Sequence, residues 1–194
     1  MRTFIAIDVS QEIKEVLGAI ESHLKYAGAD VKWVKPEIVH LTLKFLGEIT
    51  EQKVEEVKAA LDAVARIAKP FDLTIKDIGA FPNIEHPRVI WVGLDKGASE
   101  TVSIASRVDE ELSKLGFAKE ERPFSSHLTI GRVRSSLNKA KLAEKMSSAA
   151  SHIIKEAAVP AHRVESVILF RSTLTPHGSI YTKLHEARYQ SALA

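Results

Sequence analysis

Two stretches of this chain carry one pattern. Lys35-Pro36, three residues and His40-Leu41-Thr42-Leu43 are matched by Arg122-Pro123, three residues and His127-Leu128-Thr129-Ile130. His127 follows His40 by 87 positions, and laying Thr3–Ser10 on Val89–Lys96 requires a shift of 86, so the two halves stay in register over most of their length. Whatever the first half folds into, the second must fold into nearly the same thing.

Hydrophobic periodicity says what that unit is. Thr3 to Ile7 reads as a strand, and Ser10 caps a helix that buries Ile13, Val16, Leu17, Ile20 and Leu24 before Gly28 ends it. Val31–Val34 and Val39–Leu46 read as strands on either side of Pro36, with Gly47 closing the second. Thr50 opens a second helix with Val54, Val57, Leu61, Val64 and Ile67 as its stripe, Pro70 stops it, and Phe71–Ile78 is a strand before a loop from Phe81 to Arg88. The order then repeats: strand Val89–Leu94, helix Ala98–Leu115 on Val102, Ile104, Ala105, Val108, Leu112 and Leu115, strand Ser126–Val133, helix Leu137–Ala150, and strands Val164–Phe170 and Ser179–Leu184. No linker composition separates the copies. The expected architecture is α+β: one domain over 1–194 whose lobe-level repeats run roughly 1–86 and 87–194, each lobe a mainly antiparallel sheet with helices on one face, and a cleft between them.

Within a strand alternate side chains share a face. His40 and Thr42 therefore point one way and Leu41 and Leu43 into the core, and the same holds for His127 and Thr129 against Leu128 and Ile130. Packing accounts for the repeated apolar positions but gives no reason to repeat His and Thr. Two imidazoles on opposite walls of a cleft can take a proton from an oxygen attacking phosphorus and give one to the oxygen that leaves, near neutral pH and without a metal. Threonine hydroxyls can donate to the non-bridging oxygens where charge accumulates.

Other chemistries are excluded. The 194 residues contain no cysteine, which removes disulfides, thiolate nucleophiles, iron–sulfur clusters and sulfur-ligated zinc. Phosphate-binding Gly-rich loops, dinucleotide fingerprints and His-Glu-x-x-His are absent, so neither a metal nor a cofactor is expected. A net charge of +2 does not by itself argue for nucleic acid, and no run of about 18 apolar residues suggests a membrane span. A cytoplasmic monomer is expected.

Phe45 and Arg132 each lie five positions after their histidine. A ring can stack on a base and a guanidinium can neutralise a phosphate, which makes both candidate substrate contacts. Strict alternation turns both toward the core. Gly131 permits a bulge that would re-aim Arg132, whereas Phe45 reads more readily as a core residue. Lys44, Arg88, Arg122 and Arg134 read as solvated charges or ion-pair partners, Trp33 and Trp91 as packing, and His23, His86, His152, His162, His177 and His185 as incidental. Ser126 faces away from His127, so a Ser–His nucleophile pair is not expected.

The chain resembles the two-histidine (2H) phosphoesterases, specifically the LigT-like RNA 2′,3′-cyclic phosphodiesterases. The resemblance runs from Arg2-x-Phe4-Ile5-Ala6 through Trp33, His40 to Glu48, Phe81-Pro82, Pro87-Arg88, Trp91, Arg122-Pro123-Phe124 and His127 to Ile130, to Phe170-Arg171-Ser172. It implies hydrolysis of terminal 2′,3′-cyclic phosphates on RNA ends to 2′-phosphates, and in some members reversible 2′-5′ joining of RNA; whether tRNA fragments are the RNA in question the residues leave open. It also implies His40 as the proton donor to the 3′-oxygen and His127 as the base; the near-symmetric residues themselves leave that choice open. Ser126 stands where the family pattern has Pro. The competing readings are a phosphodiesterase for another cyclic or 2′,5′-linked nucleotide and a non-catalytic RNA-binding module, the latter disfavoured by two complete His-x-Thr pairs.

Overall fold

The computed structural model of the chain describes residues 1–176 and 178–190. His177, read above as incidental, lies outside the described residues. The elements follow in the order β1 (Arg2–Asp8), α1 (Gln11–Lys25), β2 (Val31–Trp33), a single 3-10 turn at Pro36–Ile38, β3 (His40–Glu48), α2 (Glu51–Ile67), β4 (Phe71–Leu73), β5 (Ile75–Phe81) and β6 (Val89–Leu94). Then come α3 (Ala98–Ser113), β7 (His127–Val133), α4 (Lys139–Ala157), β8 (His162–Val164), β9 (Ser166–Thr175) and β10 (Gly178–Arg188).

Local chemistry sets the helix ends. Ser10 Oγ accepts from the Ile13 amide at 3.4 Å and Thr50 Oγ1 from the Lys53 amide at 3.2 Å, so α1 and α2 each satisfy one of the free first-turn donors. Ile13, Leu17, Ile20 and Leu24 of α1 are buried, as are Val54, Val57, Leu61 and Val64 of α2. Each such side chain contributes about 1.5–3 kcal/mol over leaving it in water.

The stripes differ from expectation at two places. Ile67 is 61% exposed and Val102 43% exposed. At about 100° per residue each sits a quarter-turn from the buried line, which Ala65 and Ala68 complete in α2 and Thr101 in α3. Helix α4 also runs on to Ala157 rather than stopping at Ala150, because Ile153 and Ile154 continue the apolar line of Leu142 and Met146.

The strands form two four-stranded antiparallel sheets and a two-stranded ribbon: β10-β9-β1-β3, β2-β7-β6-β5 and β4-β8. The sheets do not coincide with the halves of the chain. Strand β5 of the first copy pairs with β6 of the second, and β9 of the second pairs with β1 of the first. Each sheet thus takes two strands from each copy, and the ribbon joins the copies again. The duplication is also incomplete, since no strand lies between α3 and β7 to match β2. Helices α2 and α3 pack together over the first sheet, α4 packs on β5, and α1 packs on α4. Among the described residues no helix is long and apolar enough to cross a membrane. The two motif strands, β3 and β7, contact each other where the sheets meet.

Candidate active site

Where β3 and β7 approach, His40, Thr42, His127 and Thr129 line one cleft of about 440 Å³. The alternation responsible is visible in the burial: Leu41 is 0% exposed and Leu43 5%, Leu128 0% and Ile130 1%, while the intervening His and Thr are half-buried.

Each imidazole is held the same way. His40 Nδ1 lies 2.9 Å from the Ile38 carbonyl and His127 Nδ1 lies 2.7 Å from the Ser125 carbonyl, in each case two residues back at the strand entry. A carbonyl only accepts, so Nδ1 carries a proton whether the ring is neutral or charged. That leaves Nε2 of both rings as the atom that can exchange protons.

Their surroundings are unequal. His40 stacks on Phe4 (4.6 Å between centroids, 26°) and meets Tyr181 at 5.2 Å and 85°. His127 meets Phe81 at 5.1 Å and 87°, with Trp91 farther off at 6.5 Å. Burial pulls both histidines below the ordinary imidazole pKa, against the opposing effect of the carbonyl hydrogen bonds. The charges acting on them differ in sign: Asp8 favours the protonated form of His40, more than Lys14 opposes it, whereas Arg132 disfavours protonation of His127.

Beyond Thr42 and Thr129 the alternation breaks in both strands at the same place. The pairing of β1 with β3 skips Leu43 between Lys44 and Thr42, and that of β6 with β7 skips Ile130 between Gly131 and Thr129. Two successive residues are buried at each bulge, Leu43-Lys44 and Ile130-Gly131, and the next side chain is turned outward. The expected re-aiming of Arg132 is therefore present. The reading of Phe45 as core is corrected: it is 62% exposed and lines the cleft opposite Arg132. That leaves Lys44, one residue earlier, buried and bonded to Asp109 at 2.6 Å, the Ala118 carbonyl at 2.8 Å and Glu120 at 3.2 Å.

Of the other basic candidates, Arg122 lines the cleft and Arg88 and Arg134 do not. Trp91 packs against Phe81, and Trp33 is partly buried against the core. His162 and His185 lie in strands rather than in loops. The first donates to the Asp8 carbonyl at 3.1 Å and the second contacts Asp62 at 2.7 Å, both away from the cleft. Ser126 donates to the Ala98 carbonyl at 3.3 Å, on the face opposite His127. The sequence reading missed Tyr181 and Phe124 as cleft residues and Phe4 as the platform under His40. Phe4 and Phe124 stand inside the motif stretches that were noted, but Tyr181 has no local signal, because only the pairing of β10 to β9 and of β9 to β1 carries it to the cleft.

Comparison with known proteins agrees with this geometry. The family described as LigT like Phosphoesterase matches residues 7–91 and again 92–181. The RNA 2′,3′-cyclic phosphodiesterase of Methanothermobacter thermautotrophicus is 38% identical over 97% of this chain and 98% of its own. That of Methanocaldococcus jannaschii is 39% identical over 96% and 99%. A crystal structure from Thermus thermophilus superposes over the whole of both chains with a TM-score of 0.78 at 25% identity. Escherichia coli LigT complexed with 3′-AMP shares the fold, with a TM-score of 0.70 at 22% identity over 97% of both. A family pattern found twice in one chain, with relatives matching from end to end, makes this protein a member of the LigT-like branch of the two-histidine phosphoesterases.

Proposed function

We propose that the protein hydrolyses the terminal 2′,3′-cyclic phosphate of RNA to a 2′-phosphate, with His40 as general acid and His127 as general base. The observation that carries this is the pair of imidazoles in one cleft, each with Nδ1 committed to a carbonyl and Nε2 left for proton transfer. The names of the full-length relatives point to the same substrate.

In this mechanism His127 Nε2 takes a proton from water as its oxygen bonds to phosphorus. The bond from phosphorus to the 3′-oxygen breaks, and His40 Nε2 delivers its proton to that oxygen. Thr42 and Thr129 donate to the non-bridging oxygens, Arg132 offsets the growing negative charge, and Phe45 stacks on the base. The two rings end in exchanged protonation states and reset through solvent. Burial disfavours the proton on both rings, and the charges around them then differ: Arg132 further disfavours it on His127, while Asp8 and the bound anionic phosphate act against burial at His40, which supports the direction chosen. With a 5′-hydroxyl in place of water as the attacking group on the cyclic phosphate, the same groups in the same roles would join RNA ends through a 2′,5′ bond.

Because both sheets draw strands from both halves, we take residues 1–194 as one catalytic unit rather than two separable lobes. Incubation with an oligonucleotide ending in a 2′,3′-cyclic phosphate tests the proposal. A product carrying a 2′-phosphate is expected; binding without conversion would mean a non-catalytic RNA-binding module instead.

A further inference from the structure

The two walls beside the histidines differ in kind. On the first sheet the cross-strand neighbour of Phe45 is Phe4. On the second, Arg132 lies between Val89 of β6 and Lys32 of β2, so that Val89, Arg132 and Lys32 form one row across the sheet. Directly paired residues share a face. Val89 and Arg132 line the cleft, and so does Val34, two residues beyond Lys32 along the same stretch. Lys32 therefore stands on the cleft face, one strand farther out than Arg132, at the exposed edge of the sheet.

Placing Lys32 directly opposite Arg132 works against the fold, since like charges paired across a ladder repel. Neither is bonded to a carboxylate among the described residues. Farther along the same edge the Arg134 amide donates to the Asp30 carbonyl at 2.9 Å, which continues the register. A site that holds two cations side by side without an acid is complete only when an anion lies over it.

We propose that Lys32 binds the phosphodiester on the 5′ side of the cyclised nucleotide, giving the cleft a second phosphate subsite that separates RNA ends from cyclic mononucleotides. This rests on the hydrolase reading above. With Arg132 on the cyclic phosphate, the neighbouring ammonium meets the next linkage of the chain, while the base turns to the aromatic wall at Phe45. The ligand class is thus an oligoribonucleotide of at least two residues ending in a cyclic phosphate.

The test compares three substrates: a 2′,3′-cyclic mononucleotide, a dinucleotide ending in the same cyclic phosphate, and that dinucleotide with an uncharged methylphosphonate linkage. In the wild-type protein the charged dinucleotide should have the lowest KM. Lys32→Ala should raise its KM roughly three- to tenfold at low salt and leave the other two within experimental error, and Lys32→Arg should restore it. The dependence of log KM on log salt for the dinucleotide should flatten by about 0.7, the share of one phosphate contact on a single strand. Lys32→Ala should keep or slightly raise Tm, because it removes a repulsion from an exposed edge. Equal KM changes for all three substrates, or none for the charged dinucleotide, would overturn the subsite. No wild-type turnover of any of them would instead overturn the hydrolase reading.

Discussion

Phe45 and Arg132 occupy equivalent places in the two motif strands, each five residues past its histidine and each turned into the cleft by a bulge. One duplicated backbone irregularity thus presents a ring on one wall and a guanidinium on the other. The divergence matters chemically, because a nucleotide has an aromatic part and an anionic part, and a symmetric site would suit neither end of it.

Exposure makes the role of Phe45 easy to separate from packing. Phe45→Ala should change unfolding free energy by no more than about 0.5 kcal/mol, whereas a core phenylalanine would cost about 3–5 kcal/mol. The KM for a cyclic nucleotide should rise while Tm stays in place. A large drop in Tm with unchanged KM would return Phe45 to the core.

His40→Ala and His127→Ala should each lower kcat/KM by about 10² to 10⁴, and the double variant should fall by less than the product of the two losses, since acid and base act in one step. Single-turnover assays with a cyclic-phosphate oligonucleotide measure this. Full activity in both single variants would end the two-histidine mechanism. Because the imidazoles supply both proton transfers in the proposed mechanism, EDTA should leave the rate unchanged.

The pH profile follows from the direction of the two shifts. Both histidines are held below the ordinary value of about 6.5 by burial, so the free protein loses the required proton on His40 as pH rises through that range. The plot of kcat/KM should be bell-shaped, with its alkaline limb falling below about pH 6.5 and its acid limb reporting protonation of the base. For kcat the alkaline limb should move upward, since bound phosphate stabilises the charged His40. In Arg132→Gln the acid limb of kcat/KM should also move upward, because the cation that depresses His127 is gone. An alkaline limb of kcat/KM lying above pH 8 would contradict the assignment.

Lys44 anchors the segment that leads to the second histidine. Its ammonium joins Asp109 of α3 to the Ala118 carbonyl and Glu120, ahead of Arg122, Phe124 and the Ser125 carbonyl that orients His127. Lys44→Met removes a charge whose side chain is 4% exposed and leaves Asp109 without its cation, held only by the Glu120 amide among the described residues. The expected cost is about 2–4 kcal/mol by denaturant unfolding, with faster proteolysis between Phe117 and Ser126. A loss under about 0.5 kcal/mol would show that the segment is held by other contacts.

Local rules carried much of this protein. The matched His-x-Thr patterns, the alternation that buries Leu41 and Leu128 while exposing the histidine faces, and the Ser10 and Thr50 caps all depend on neighbours within a few residues, and all are present in the structure. Gly131 even marked the bulge that turns Arg132, because a missing Cβ is a local fact. The matching bulge before Phe45 had no such marker. It exists because Lys44 finds Asp109, Ala118 and Glu120, partners 65 to 76 positions away, and its burial turns the next side chain outward. The exchange of β5 and β9 between sheets, and with it the arrival of Tyr181 beside His40, was likewise decided only in three dimensions. A hydrophobic period says which face of a strand is buried, but not which strand lies beside it. That choice belongs to the packing of the whole chain, whereas the repeat of the two His-x-Thr pairs, and the face of the strand each presents, was already written in their spacing.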